Sequence, residues 1–137
     1  MKKVYSAVGV RLGTFIGGPI AGGYLLSQNF KAIGRTDLAR RAQVLGILTT
    51  LILTSILIAL PEEATSKIPN VLLPLLFMFL ANRLFERYQK AAVDQLLETQ
   101  KGAQLSNWNA AGVALLFAIA TFSLFFLFYL LIDPNFQ

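Results

Sequence analysis

Long apolar runs alternate with short charged clusters along this chain. The charged clusters occupy Lys31–Arg41, Glu62–Lys67 and Arg83–Lys101, and the stretches between them are almost free of charge. A helix needs about 20 predominantly apolar residues to cross the hydrocarbon core of a bilayer. The pattern therefore predicts four transmembrane helices, at approximately residues 4–33, 37–60, 68–101 and 106–132.

These helices predict an all-α, polytopic membrane protein that forms a single membrane domain over residues 1–137, with the helices in a compact bundle. The apolar part of the third segment ends near Asn82, but residues beyond it keep a helical spacing of apolar positions. We therefore expect the third helix to extend into the cytoplasm. Pro69 suits its first turn, and Pro74 is expected to kink it.

The composition supports a membrane protein and excludes several chemistries. Hydrophobic residues make up 55% of the chain and charged residues 14%, against about 25% charged in an average soluble domain. The chain has no Cys and no His, which excludes thiol nucleophiles, disulfides and Cys/His zinc sites. We find no catalytic set, metal cluster or nucleotide-binding motif, so we expect no enzyme, no metal and no cofactor.

The net charge of +5 has two interpretations, nucleic-acid binding and membrane orientation. The basic residues flank apolar segments, and membrane proteins keep Lys and Arg on their cytoplasmic side. We therefore expect the lipid bilayer as a partner and no nucleic acid. The expected cytoplasmic basic face contains Arg40, Arg41, Arg83, Arg87 and Lys90.

Counting basic residues also predicts the orientation of the chain. With four spans, eight Lys and Arg residues lie in the 30–41 and 83–107 stretches, and Lys2, Lys3, Arg11 and Lys67 lie on the other side. The positive-inside rule then places both termini outside a multi-pass inner-membrane protein. If segment one only dips into the membrane, the N-terminus stays inside instead.

The first segment carries small residues at four-residue spacing. Gly9, Gly13 and Gly17 form one ridge, and Gly18 and Gly22 form a second. Small residues let helix backbones approach closely, and such contacts favour helix association in lipid. The pattern favours a central packing helix that neighbours approach on two sides.

Pro19 introduces an alternative for the same segment. A proline removes a backbone donor and leaves the carbonyl of Phe15 without its helical partner, so the helix could open at Gly17-Gly18-Pro19. Transporters use broken helices of this kind as ion sites. Arg11, the one charge well inside an apolar segment, either extends its side chain to the surface or pairs with an anion.

Two further patterns concern packing. Thr50 and Thr54 follow Gly46 at four-residue spacing, where hydroxyls bond within the membrane bundle or, alternatively, line a pore. An apolar stripe follows the third segment. It docks on a partner or on the 31–41 hairpin, or it has no docking role and the neighbouring basic residues only set the topology. The stripe contains Phe85, Tyr88, Ala92 and Leu96.

The stretch from Thr14 to Leu26, TFIGGPIAGGYLL, followed by Asn29-Phe30 and Gly34, resembles the opening of small bacterial integral membrane proteins that have no assigned activity. The resemblance implies a bacterial inner membrane. From the small-residue ridges we expect a non-enzymatic scaffold or accessory subunit that forms a homo-oligomer or joins other membrane proteins. The alternative is a small channel or transporter with a broken first helix.

Overall fold

The computed structural model describes residues 2–101, 103–132 and 135, and most of these are helical. Two short strands, β1 (Val4–Tyr5) and β2 (Gln104–Leu105), pair in parallel. The described residues form six helices, which are α1 (Ala7–Ala32), α2 (Thr36–Ala59), α3 (Glu62–Thr65), α4 (Leu72–Tyr88), α5 (Lys90–Thr99) and α6 (Asn107–Ile132). The all-helical fold class is therefore confirmed.

Helix α1 is a hairpin rather than a straight rod. Its backbone leaves the helical region at Gly18, where φ is 74° and ψ is −164°, a conformation essentially restricted to glycine. In a straight helix Tyr5 and Asn29 would lie about 36 Å apart, yet the Tyr5 N–H donates to Asn29 Oδ1 at 2.7 Å. The chain therefore reverses at Gly18, between a first arm (residues 7–17) and a second arm (residues 19–32).

The hairpin corrects the expectation of a straight first helix over residues 4–33. Pro19 cannot donate a helical hydrogen bond, and Gly18 adopts a backbone conformation that other residues avoid. Gly34, with φ of 81°, then ends the second arm and allows the turn into α2.

The third predicted helix, over residues 68–101, is two helices in the structure. Gln89 separates α4 from α5, with φ of −121° and ψ of −30°. Helix α4 begins only at Leu72, so Pro74 lies in its first turn, where proline is tolerated, and not in its middle. The predicted second and fourth helices agree with α2 and α6 to within one residue at each end.

Two helices of the described residues, α2 and α6, are long and apolar enough to cross a membrane. Four membrane-spanning helices are thus not confirmed. In the most apolar stretches of α2 and α6, only 6% and 0% of the residues are buried. A core helix of a soluble protein would be mostly buried, whereas these two helices expose most of their apolar surface.

The hairpin is the centre of the bundle. Helices α2, α4 and α6 each pack against α1 and make few contacts with one another. The main hydrophobic cluster lies where the arms of the hairpin meet β1, α4, α5 and α6, and it contains Val4, Tyr5, Val10, Leu25, Leu26, Ala81, Phe85, Val93 and Ala110.

The bundle has one strongly basic end. The strand pair, the open end of the hairpin, helix α5 and the starts of α2 and α6 all meet there, and we call this the basic end. Eleven of the twelve Lys and Arg residues lie in the elements at or next to it, and Lys67 lies in the loop at the far end. Helix α6 runs about 39 Å away from the basic end, so residues 4 and 132 lie at opposite ends of the molecule.

Candidate functional site at the helical hairpin

The first arm of the hairpin packs closely against α6 through its glycines. A Cβ placed on Gly9 would lie 3.3 Å from Asn107 Oδ1 and 3.5 Å from the Cβ of Ala110. A Cβ placed on Gly17 would lie 2.8 Å from the carbonyl oxygen of Ala114. The ridge of Gly9, Gly13 and Gly17 thus faces the two buried alanines of α6, which is the close backbone approach that small residues permit.

The two arms of the hairpin pack on each other through a second set of small residues. A Cβ on Gly22 would lie 2.6 Å from Thr14 Oγ1, and one on Gly13 would collide with the Leu25 side chain. The Thr14 hydroxyl donates to the Val10 carbonyl at 2.7 Å. The close approach of the two arms therefore depends on Gly22, where the neighbour is the short Thr14 side chain, and at Gly13 on the space that the Leu25 side chain occupies.

The second arm approaches α2 at a glycine pair, Gly23 and Gly46. A Cβ on Gly46 would lie 2.8 Å from the Pro19 carbonyl oxygen and 3.1 Å from Gly23 Cα. Conversely, a Cβ on Gly23 would lie 2.6 Å from the Ala42 carbonyl oxygen. Backbone meets backbone at this crossing, which fixes the hairpin tip against the middle of α2.

The hairpin tip ends about halfway along the bundle. The first arm is about 16 Å long, and Gly46 lies about 15 Å from the start of α2. A helix end leaves backbone carbonyls without partners, and a helix start leaves N–H groups without partners. The tip residues are not fully buried, and Ile16 is 37% exposed. The tip therefore presents polar backbone toward the half of the bundle that is farther from the basic end, which contains residues 47–80 and 115–132 and which we call the far half.

An open groove of about 460 Å³ lies beside the second arm, between α2 and α4. Gly22, Gly23 and Gly46 keep its floor shallow, and Pro19 lies at its inner end. Its lining is apolar apart from Thr14 and Thr49 and from Arg41 and Tyr88, which lie toward the basic end. The wall residues include Leu38, Leu45, Phe77, Leu80 and Leu84.

The remaining predicted site residues do not converge on Pro19. Arg11 lies in the first arm about one turn inside the basic end, roughly 10 Å along the helix from Gly18, and it does not line the groove. The Thr50 hydroxyl donates to the Gly46 carbonyl of its own helix at 2.9 Å. Thr54 is half-buried and also lies outside the groove lining.

The predicted basic face is exposed in the structure. The side chains of Arg40, Arg41, Arg83, Arg87 and Lys90 are all exposed. The Arg87 guanidinium lies 5.6 Å from the centre of the Tyr88 ring, within the range of a cation–π interaction. Arg83, Arg87 and Tyr88 also line a second, shallow cavity that adjoins the groove at Leu84 and Tyr88.

A buried amide network at the basic end was not predicted from the sequence. Asn29 Nδ2 donates to the Tyr5 carbonyl at 2.9 Å and to Gln89 Oε1 at 3.1 Å. Gln89 Nε2 donates to the Leu26 carbonyl at 2.7 Å. Both amide side chains are completely buried, so this network joins β1, the second arm and the α4–α5 junction.

The phenol of Tyr5 extends the contacts of β1 toward α6. Its hydroxyl donates to Asn109 Oδ1 at 2.9 Å. Burial, and secondarily the nearby Tyr24, raises the pKa of the Tyr5 phenol above its usual value. A phenol is protonated at neutral pH even at its ordinary pKa, so the raised pKa extends the donor role of Tyr5 to more alkaline pH.

The buried residues of the segment after Asn82 are not all members of the predicted apolar stripe. Phe85 is buried, whereas Tyr88 is 48% exposed. Gln89 and Val93 take the buried positions instead, and Leu96 packs against the hydrophobic cluster. The segment therefore docks on the hairpin and the strand pair of its own chain. The buried positions Ala81, Phe85, Gln89 and Val93 recur every four residues through the turn at Gln89.

Comparison with known proteins adds no assignment. No family model, no curated protein and no solved structure matches this chain.

Proposed function

We propose that this chain is a non-enzymatic inner-membrane protein that acts as a scaffold or accessory subunit, by self-association or within a larger membrane complex. In this proposal α2, α4 and α6 cross the bilayer and the α1 hairpin enters and leaves from one side. The single observation that carries it concerns the far half of the bundle, residues 47–80 and 115–132, in which no residue is buried.

The dimensions of α6 support the membrane placement. Trp108 and Tyr129 lie near its ends and are 85% and 61% exposed. They are about 32 Å apart along the helix, close to the roughly 30 Å thickness of the hydrocarbon core. Amphipathic aromatic residues prefer the two membrane interfaces. Helix α4 is about 26 Å long, but its apolar part, from Leu72 to Asn82, is only about 16 Å long, so its crossing requires a locally thinned bilayer or a bound partner.

The charge distribution supports a revised orientation. Because the hairpin returns to the basic end, Lys2, Lys3 and Arg11 join the basic residues that already lay on that side, and Lys67 alone is left at the far end. The positive-inside rule then makes the basic end cytoplasmic. The N-terminus lies inside and residue 132 lies outside, in place of two outside termini.

The far half of the bundle supports association. None of residues 47–80 and 115–132 is buried. The whole molecule exposes 9202 Å², whereas a compact monomer of 15.1 kDa exposes about 7,100 Å². The polar hairpin tip faces this half, and polar backbone at membrane depth is tolerated only when protein covers it or when it lines a wet cavity. A second copy or a partner helix beyond the tip meets this requirement.

A cysteine scan of α6 tests the proposal, because the chain has no native Cys. Single cysteines at positions 115–122, introduced one at a time in native membranes, are expected to form disulfide-linked dimers every three or four residues. That period follows from one helix face meeting its copy. Val8→Cys, which is also exposed (48%) but lies at the basic end, is the matched control and should stay monomeric.

Native mass spectrometry in lipid nanodiscs supplies the second measurement. A complex of two or more chains, or a co-purified membrane protein retained after gentle crosslinking, agrees with the proposal. A strict monomer with no partner and no crosslink in the scan would rule out a scaffold that works by association.

A small channel or transporter is the second candidate, and the break at Gly18 beside a groove that reaches Pro19 favours it. The groove is nearly all apolar, and Arg11 lies away from the tip, so the arrangement offers little to hold an ion. Proteoliposomes that carry the protein and release trapped chloride or potassium faster than empty vesicles would support this candidate over the scaffold.

A further inference from the structure

We propose that the groove between α2 and α4 binds one anionic phospholipid, with its phosphate at Arg41 and one acyl chain along the second arm of the hairpin. The inference rests on the proposed membrane placement and is independent of self-association. The surface that we assign to association is the far half of the bundle, and the groove lies mainly in the basic half and reaches the far half only at its inner end, at Thr49, Phe77 and Leu80.

The length of the groove matches one leaflet of a bilayer. On α2 the lining runs from Leu38 to Thr49, and on α4 it runs from Tyr88 to Phe77. Each wall is about 16 Å long, and half of the hydrocarbon core is about 15 Å. The groove therefore begins at headgroup level and ends at the bilayer midplane beside Pro19, as an acyl chain does.

The shape of the groove suits an acyl chain. The floor is made of Gly22, Gly23 and Gly46, whose backbones are already in contact, so the groove cannot deepen. A thin, flexible hydrocarbon chain fits this space and needs no hydrogen bonds from its apolar walls.

The charge at the mouth selects the headgroup. Arg41 lines the groove and is exposed, and among the described residues it has no ion pair or hydrogen bond. The Arg87 guanidinium lies against the Tyr88 ring, and Tyr88 lines the same groove. A guanidinium binds a phosphate through paired hydrogen bonds, and basic residues at the cytoplasmic surface attract anionic lipids.

Titration of phosphatidylglycerol or phosphatidylcholine into detergent-purified protein, with bound lipid counted by native mass spectrometry, tests the site. We expect one saturable phosphatidylglycerol molecule and weaker phosphatidylcholine binding. Arg41→Gln should weaken phosphatidylglycerol binding about fivefold and remove the preference. The neighbouring Arg40→Gln is the matched control, since Arg40 is exposed but does not line the groove, and its effect should stay within about twofold.

Filling the groove provides a second, independent test. Leu80→Trp should lower the binding of both lipids, because Leu80 lines the groove, whereas Leu116→Trp on α6 should not. Circular dichroism checks that both variants remain helical. Equal lipid binding by all variants, or equal losses in Arg41→Gln and Arg40→Gln, would overturn the inference. A Leu80→Trp variant that keeps its lipid but loses a dimer would assign the groove to a second copy. Protein absent from the membrane fraction would instead contradict the proposed function itself.

Discussion

Replacing Gly46 with Leu is expected to prevent the bundle from assembling, at a cost of about 3 kcal/mol or more. A Cβ at this position would lie 2.8 Å from the Pro19 carbonyl oxygen and 3.1 Å from Gly23 Cα. These are backbone atoms, and they cannot move aside without separating the hairpin tip from α2. The larger Leu side chain adds three more carbon atoms to the same collision.

Gly112→Leu is the matched control for this experiment. Gly112 is also a helical glycine, but nothing lies within 4 Å of a Cβ placed on it. Thermal unfolding followed by tryptophan fluorescence, together with size-exclusion chromatography in detergent, compares the two variants. We expect Gly112→Leu to behave as the unmodified protein and Gly46→Leu to aggregate or unfold at a much lower temperature. Equal stability of both variants would show that the second arm does not cross α2 at Gly46.

Asn29→Ala is expected to have the second-largest effect, a loss of about 3 kcal/mol in the free energy of unfolding. The substitution removes hydrogen bonds to both backbone groups of Tyr5 and to Gln89. Both amide side chains are completely buried, so water cannot replace the lost bonds. The open end of the hairpin should then separate from β1 and from the α4–α5 junction.

Asn82→Ala provides the comparison for the Asn29 variant. Asn82 also donates through its amide, to Glu86 Oε1 at 3.2 Å, but this hydrogen bond is exposed. Its loss should change stability by less than about 0.5 kcal/mol. Urea or heat unfolding of the two variants under the same detergent conditions gives the difference. Similar stability losses in the two would mean that the buried network contributes little.

The apolar pattern predicts α2 and α6 well because each is a single long helix between charged or proline-containing boundaries. Helix ends at Pro61 and Ser106 follow from local chemistry, and the Ser106 hydroxyl accepts a hydrogen bond from the Trp108 N–H at 3.1 Å. Such signals act over a few residues, so the sequence alone reveals them.

The reversal of α1 could not be predicted with the same certainty, because a hairpin and a straight helix have the same apolar periodicity. The difference depends on the backbone of one residue, Gly18, and on packing between Thr14 and Gly22. The sequence does contain a signal, since the Gly17-Gly18-Pro19 triplet lies in the middle of an apolar run that is short for a span. The small-residue ridges serve a hairpin as well as a straight helix.

The amide network is a second feature that could not be predicted from the sequence, for a different reason. Asn29 and Gln89 are 60 residues apart in the chain, and neither stands in a motif that links it to the other. Gln89, rather than Tyr88, is the buried residue at the α4–α5 junction, where its amide bonds to Asn29 and to the Leu26 carbonyl. Contacts of this type arise from tertiary packing and leave no periodic trace in the sequence.

Labelling of single cysteines in intact cells with a membrane-impermeant maleimide tests the re-entrant hairpin most directly. The cysteine-free chain allows Lys3→Cys, Arg35→Cys and Lys67→Cys to be compared without background. The account predicts that positions 3 and 35 are both protected until the cells are permeabilised, because both lie at the cytoplasmic end, whereas position 67 is labelled at once. Immediate labelling of position 3 with protection of position 35 would show that α1 crosses the membrane as a straight helix, and it would contradict the hairpin.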